Sequence, residues 1–472
     1  MKFVLINPFV DYKKVNKLFS IKAEIPPLGL LYVASALEER GHEVSVIDFC
    51  AEEFSDTRLL TAIKQADAVG ITVRTLEINS VCHICTTIKQ VYPRLPLIIG
   101  GPHCTIDPEK ALRETGADIC VQGEGEEVIT VIAERLSQKK ELDGIPGVLF
   151  VKEKKIKRGP PVKEIENLDT LSFPSFHLVS HYQYGEVAGG YNPTRGKVAS
   201  LMTSRGCPHH CRYCINGATN KTYRTRSAEN VIREILEIKK SYQFLHVIDE
   251  NFFTDLDTAN KILDFLVEDD HGLELWISGI RVDVADEQLF RKMRDAGVTT
   301  INLGIESGNQ DVLDFYNKQI TLDQCRNAVR LARKMGFFTI GYFMLGAPVE
   351  TEQHLRNTIE FAKSLPLDNA SFSPFSYLKG TAIWQDAVSE GKIRKDEVTV
   401  LCDSQRGLGN FTTEEILAWV VKAFQEFHLR PRYIIDQILQ AFLRWDFRVP
   451  KEGFKLLVRE DNVLKSRQFY PV

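Results

Sequence analysis

The chain has 472 residues, 44% of them hydrophobic and 26% charged, with a net charge of −4. That length exceeds one ordinary core and points to roughly three domains, while the acidic balance argues against a general nucleic-acid binder. No apolar run reaches the roughly 18–20 residues of a spanning helix, and MKFVLINP reads as a first strand rather than a leader, so the expected compartment is the cytoplasm.

From the amino end, short β-branched runs alternate with helical stretches. Strands are expected at 3–7, 43–49, 68–73, 96–101 and 118–124, and helices at 28–40, 57–65, 76–92, 108–115 and 126–137. Nearly continuous apolar strands between amphipathic helices predict a parallel, doubly wound, Rossmann-like sheet over residues 1–140. Such sheets bind ligands at the carboxyl ends of their strands. The unusual residues stand at those ends: NPF at 7–9, TVRT at 72–75, GGPHCT at 100–105 and GEGEE at 123–127. Each glycine either lets backbone approach a ligand or makes a tight turn. The first strand is not followed by G-x-G-x-x-G, which argues against a dinucleotide. Cys82 and Cys85 share a helix face, as a redox or metal pair or as buried small side chains.

Residues 141–196 change character. KEKKIKRGPP at 152–161 suggests a charged hairpin or loop, several prolines follow, and the stretch reads as a linker. A second series occupies 197–380. Its strands are expected at 197–204, 245–251, 274–280, 299–305, 338–345 and 369–375, with helices at 227–241, 257–268, 285–296, 321–335 and 350–364. Six β-α units predict a (β/α)6 partial barrel with its chemistry at the carboxyl ends of the strands. RGCPHHCRYC at 205–214 follows the first of them. Closed zinc sites and ferredoxin-type clusters take four ligands, whereas this loop offers three cysteines spaced C-x3-C-x2-C. They hold three corners of a 4Fe–4S cube with one iron left open, or join His209 or His210 around zinc.

That spacing, the tyrosine before the third cysteine and the βα series after it resemble the radical S-adenosylmethionine (SAM) superfamily. The resemblance implies a 4Fe–4S cluster on Cys207, Cys211 and Cys214, with SAM chelating the open iron and cleaved to a 5′-deoxyadenosyl radical. It also implies a one-electron donor such as flavodoxin or ferredoxin. For SAM it suggests Glu250 beside Asp249 near the amino group, although the family's Gly-Gly-Glu form is absent. Glu306 and Arg281 become candidates for ribose and carboxylate, and the backbone at Gly341 and Gly346 for adenine. Arg224 and Arg226 are candidates for SAM or phosphate, or surface residues. PPLGLLYVASALEERGHEVSVID, GGPHCT and GEGEE, in that order before the cysteine loop, resemble the cobalamin-binding subfamily. By that resemblance Gly100, Gly101, His103, Gly123, Glu124 and Glu126 would line cobalamin, and Arg74 would lie near the lower cobalt face. The D-x-H-x-x-G motif is missing, so His103 is expected to orient its loop rather than bind cobalt.

The resemblance implies methylation of an unactivated carbon in a small molecule or lipid. Cyclisation, ring rearrangement or carbon–carbon coupling without methyl transfer is the alternative, and so is an N-terminal sheet that only docks a partner. Residues 381–472 are expected to be helical. Between Leu429 and Arg459, seven Lys/Arg face three Asp/Glu, which suggests a cap over the barrel mouth with a solvated basic face, or peripheral contact with an anionic membrane. Phe372, Phe375, Tyr377 and Trp384 either wall a substrate pocket or pack the last strand.

Overall fold

The structure, a computed structural model, describes residues 1–9, 25–185, 196–219, 222–444 and 446–447. Residues 186–195 of the expected linker and the basic tail beyond Phe447 lie outside the described residues. Two compact units part in sequence at Tyr184 and Gly185.

The first unit is a seven-stranded sheet. Its parallel strands are β1 (Lys2–Asn7), β2 (Glu43–Asp48), β3 (Ala68–Thr72), β4 (Leu97–Gly100) and β5 (Ile119–Val121). Helices α1 (Leu28–Glu39), α2 (Asp56–Ile63), α3 (Ile78–Val91), α4 (Pro102–Ile106), α5 (Pro108–Thr115) and α6 (Glu126–Ser137) connect or follow them. The strand order β2-β1-β3-β4-β5 reverses between β1 and β3, which is where a doubly wound sheet opens a ligand crevice. Five of the six β1 residues are buried, as a strand covered on both faces requires. The sheet continues antiparallel through β6 (Val148–Lys152) and β7 (Lys155–Arg158). Thus part of the expected linker is sheet. Glu153 and Lys154, both at positive φ, close a two-residue hairpin turn.

The second unit is built on six parallel strands in the order β15-β14-β13-β12-β11-β8. These are β8 (Val198–Leu201), β11 (Phe244–Val247), β12 (Glu274–Ile280), β13 (Val298–Glu306), β14 (Phe338–Leu345) and β15 (Asn369–Pro374). A short ribbon of β9 (Ser204–Arg205) and β10 (Arg224–Thr225) brackets the cysteine loop, and the single turn α7 (Asn216–Thr219) follows that loop. The crossovers are α8 (Ala228–Ile238), α9 (Leu256–Glu268), α10 (Glu287–Asp295), α11 (Gln310–Phe315), α12 (Leu322–Lys334) and α13 (Glu352–Ser364). Leu245, Ile277, Ile301 and Leu303 are fully buried, whereas Ser278, Asn302 and Tyr342 on the alternate face hydrogen-bond to one another. This is a partial barrel with an apolar outside and a polar concave face.

Beyond it come the hairpin β16 (Ser376–Leu378) and β17 (Thr399–Leu401), with α14 (Ala382–Ser389), α15 (Thr413–His428) and α16 (Pro431–Arg444). Phe372 stacks on Phe343 and meets Phe427 of α15, so it packs the last strand instead of walling a pocket. Phe375, Tyr377 and Trp384 are buried beside it. Helix α16 is held by Arg444, which donates to Asp368 at 2.8 Å and to the Phe337 carbonyl at 2.8 Å. Both residues precede strands, so α16 sits at the amino-terminal edge of the sheet and is no cap over the barrel mouth.

Candidate active site

The cysteine loop lies at the carboxyl edge of the second sheet. Cys207, Cys211 and Cys214 are half-buried and free of disulfides. Burial pushes the thiols of Cys207 and Cys214 up, so a metal must displace their protons to gain the thiolates it binds. Among the described residues no three His, Cys, Asp or Glu side chains converge as ligands of one ion, as a structural zinc site requires. Three thiolates on one short loop are the soft donors that an iron–sulfur cluster takes. The donor set of this loop fits the cubane.

Three devices hold the loop. At its start, the fully buried Asp249 accepts from the Thr203 amide (2.7 Å), the Thr203 hydroxyl and the Ser204 hydroxyl (2.7 Å). Burial raises its pKa to about 6 against those bonds. At its middle, the turn after α11 grips the loop backbone. Arg212 N–H donates to the Tyr316 carbonyl at 2.9 Å, and Asn317 donates to the His210 carbonyl at 2.9 Å. At its end, Tyr213 donates to Glu306 at 3.0 Å, and Lys318 donates to the same carboxylate oxygen at 2.8 Å. Glu306 adopts φ +69°, a rare conformation for a side chain of its size.

The residues expected around SAM divide. Glu250 is half-buried at the end of β11, takes a backbone hydrogen bond from Gly206 in the loop, and is raised in pKa by burial. Next to it Asn251 leaves a buried carbonyl oxygen without a hydrogen-bond partner, an acceptor that suits an ammonium group. The SAM donor pattern fits this edge. Arg281 is buried and already occupied. It forks onto Asp283 at 3.0 and 2.8 Å and reaches the Lys318 carbonyl at 3.0 Å. Glu306 is likewise engaged by Tyr213 and Lys318 rather than held open for ribose. At Gly341 an added Cβ would strike Leu367 on the outer face, and at Gly346 it would strike Cys402 and Ile416, so both glycines answer to packing. Arg226 is buried against Glu234 and Asn230, a structural role. Sequence reasoning missed Lys318, which sits in a turn without periodicity, and missed that Tyr213 bonds to Glu306.

In the first unit, the carboxyl edge carries a buried polar cluster. Asp48 accepts from Asn7 (2.8 Å), the Cys50 amide (2.9 Å) and Tyr184 (3.0 Å). Arg74 pairs with Glu77, whose second carboxylate oxygen is buried without a hydrogen-bond partner. These hydroxyl, amide and carboxyl groups at the switch point fit a corrin rimmed with amides. His103 is buried, 3.1 Å from the Thr75 hydroxyl and 3.8 Å from Glu114, and desolvation lowers its pKa. Those contacts tie it to the turn after β3. Gly100 ends β4, and at Gly101, with φ +99°, an added Cβ would lie 2.9 Å from the Thr72 hydroxyl. Gly123 sits against Val162, Glu124 accepts from the Ile165 amide at 2.6 Å, and Glu126 is buried in the first turn of α6. Glu124 thus fastens the segment after β7. Cys85 is buried in the core under α3, whereas the half-buried Cys82 donates to the Glu114 carbonyl.

Residues 18–133 match the family model of the B12 binding domain, and residues 201–362 match that of the radical SAM superfamily. An uncharacterized methyltransferase of Pyrococcus horikoshii, PH0819, is 33% identical over 88% of this chain and 90% of its own length. The cytidylyl-2-hydroxyethylphosphonate methyltransferase of Streptomyces wedmorensis is 25% identical over 86% of each chain. An anaerobic magnesium-protoporphyrin IX monomethyl ester cyclase of Rubrivivax gelatinosus is 25% identical over 92% of this chain and 77% of its own. Among solved structures, the cobalamin-dependent SAM radical enzyme OxsB with aqua-cobalamin bound superposes with a TM-score of 0.72 at 16% identity, covering 97% of this chain and 74% of that one. This chain therefore belongs to the cobalamin-binding radical SAM enzymes, whose cofactors are a 4Fe–4S cluster, SAM and cobalamin.

Proposed function

We propose that the protein methylates an unactivated carbon of a small-molecule or lipid substrate. The observation that carries this is the pair of family models on one chain, together with the PH0819 relative named as a methyltransferase. When bound, the cluster and cobalamin supply reductive cleavage of SAM and a carrier for its methyl group. The chain's part is to hold them. Cys207, Cys211 and Cys214 hold the cluster, and Asp249 sets the start of their loop. Glu250 and Asn251 take the SAM ammonium, while Arg281 and Glu306 brace the loop from beneath. Arg74, Gly100, Gly101, His103, Gly123, Glu124 and Glu126 frame the cobalamin edge, with His103 orienting the turn. The polar row of Ser278, Asn302 and Tyr342 presents hydrogen-bonding groups to a substrate on the concave face. A flavodoxin- or ferredoxin-like donor supplies the electron. Peripheral membrane contact falls to α16.

Cyclisation or another radical rearrangement is the second reading, favoured by the cyclase relative. Product analysis separates the two. Methyl donation leaves S-adenosylhomocysteine, and reductive cleavage leaves 5′-deoxyadenosine. Anaerobic protein reconstituted with iron, sulfide and hydroxocobalamin should retain about four irons and one corrinoid, and with titanium(III) citrate should form both products. Deoxyadenosine alone would replace methyl transfer by rearrangement. Cleavage that survives Cys211→Ala would overturn the cluster assignment.

A further inference from the structure

Lys318 is buried, with 8% of its surface exposed. Its ammonium donates to Glu306 at 2.8 Å and lies 3.3 Å from the Tyr213 hydroxyl, so three polar groups from three segments close a triangle. Tyr213 belongs to the cysteine loop, Glu306 ends β13, and Lys318 stands in the turn after α11. Space for the pair comes from Gly304, where a Cβ would lie 2.9 Å from the Glu306 carboxylate and 3.0 Å from the Lys318 ammonium. Burial works against the Lys318 charge, and the Glu306 carboxylate beside it favours that charge. Tyr213 immediately precedes Cys214, so the couple is hydrogen-bonded to the cysteine loop one residue from a thiol, in a low-dielectric setting where single charges act strongly.

We infer that the Lys318–Glu306 ion pair sets the reduction potential of the metal cluster held by the cysteine loop. Cluster reduction adds one electron and one negative charge next to this pair. The ammonium stabilises the reduced form and the carboxylate destabilises it, so the intact couple holds the potential between two extremes. Tyr213 keys the couple to the loop and keeps the two charges at constant distance from the sulfurs. Lys318 and Glu306 are positioning residues in this account, and neither touches the reacting atoms.

The inference rests on the cluster reading of Cys207, Cys211 and Cys214, and the experiment separates the two. Full-length protein is reconstituted anaerobically, its iron is counted, and the cluster is titrated with titanium(III) citrate while the reduced signal is followed by electron paramagnetic resonance. Absence of a cluster signal from the native protein would overturn the cluster reading itself. Given a native signal, Lys318→Met should lower the midpoint potential and Glu306→Gln should raise it. The double variant should return towards the native value, and Lys318→Arg should keep it. A structural brace alone would move both single variants the same way or leave the potential unmoved, and either result would overturn the inference. Should a single variant fail to load iron, Lys318→Gln or Glu306→Asn takes its place, with the same opposed signs required.

Discussion

Buried acids in the second unit tie loops to strand ends, and Glu350 is the plainest case. It takes the amides of Gly346 at 2.6 Å and Ala347 at 2.8 Å, while its second oxygen is buried without a hydrogen-bond partner. Burial raises its pKa from 4.5 to about 7 against the two amide bonds, which favour the carboxylate. The folded chain thus holds this proton more tightly than the unfolded chain. The resulting stabilisation is fully present below the unfolded value and is lost as pH rises through about 7. A shift of this size corresponds to about 3 kcal/mol. Glu350→Gln keeps the shape and cannot ionise, so its Tm should hold between pH 5 and 8 where that of the native protein declines; parallel profiles would refute the assignment. The three cysteines of the proposed cluster site stand out in the sequence by their spacing, and Glu250 is a candidate by its place after a strand. Lys318 and the engaged state of Arg281 could not be read there, because both depend on which turn folds back onto the loop. A positive φ at Asn317 and Gln319 shapes that turn, and no residue pattern announces it.

At the scale of elements, β12 and β11 meet where Gly279 replaces a side chain by bare backbone. A Cβ there would stand 2.2 Å from the Asp249 carbonyl oxygen, and the residue has φ +67°. Gly272, at φ +63°, has nothing within 4 Å and isolates the conformational cost alone. Gly272→Ala should therefore lower stability by about 1 kcal/mol. Gly279→Ala adds a backbone clash beneath the cysteine loop, and should lower both Tm and iron retained per chain. Equal effects from the two substitutions would show that the close approach carries nothing. The alternation of strands and helices was legible because parallel strands are buried on both faces and their apolar runs are unbroken. By contrast β7, with the sequence KIKR, shows no apolar run; it forms because a hairpin lets it pair antiparallel to β6 at the sheet edge. Sequence also cannot tell a glycine that approaches a ligand from one that admits a neighbour, as Gly341 and Gly346 illustrate.

At the scale of the whole molecule, the apolar surface is unevenly distributed. Ile434, Ile435, Ile438, Leu439, Phe442 and Leu443 are all exposed along one side of α16, with Leu443 at 74%. The polar side of the helix is spent on the sheet edge, where Arg444 meets Asp368 and Tyr433 donates to the Asp368 carbonyl at 2.7 Å. An amphipathic helix facing water with its apolar arc is explained by a surface that covers it. Residues 429–459 carry seven Lys/Arg against three Asp/Glu in a chain of net charge −4, so the peripheral contact proposed for α16 calls for an anionic surface. No helix among the described residues is long and apolar enough to cross a membrane, and in the proposed peripheral contact α16 would lie along the interface. Full-length protein should co-sediment with vesicles containing phosphatidylglycerol and weakly or not at all with pure phosphatidylcholine. Since both charge and apolar burial contribute, raised salt should weaken the binding and the double substitution Leu439→Ser, Phe442→Ser should abolish it. Neither substitution touches a buried position, so the variant should keep the native Tm and iron content. Binding indifferent to lipid charge would mean the basic residues play no part. Concentration-dependent sedimentation without vesicles, removed by the same double substitution, would instead assign the arc to a second copy of the chain.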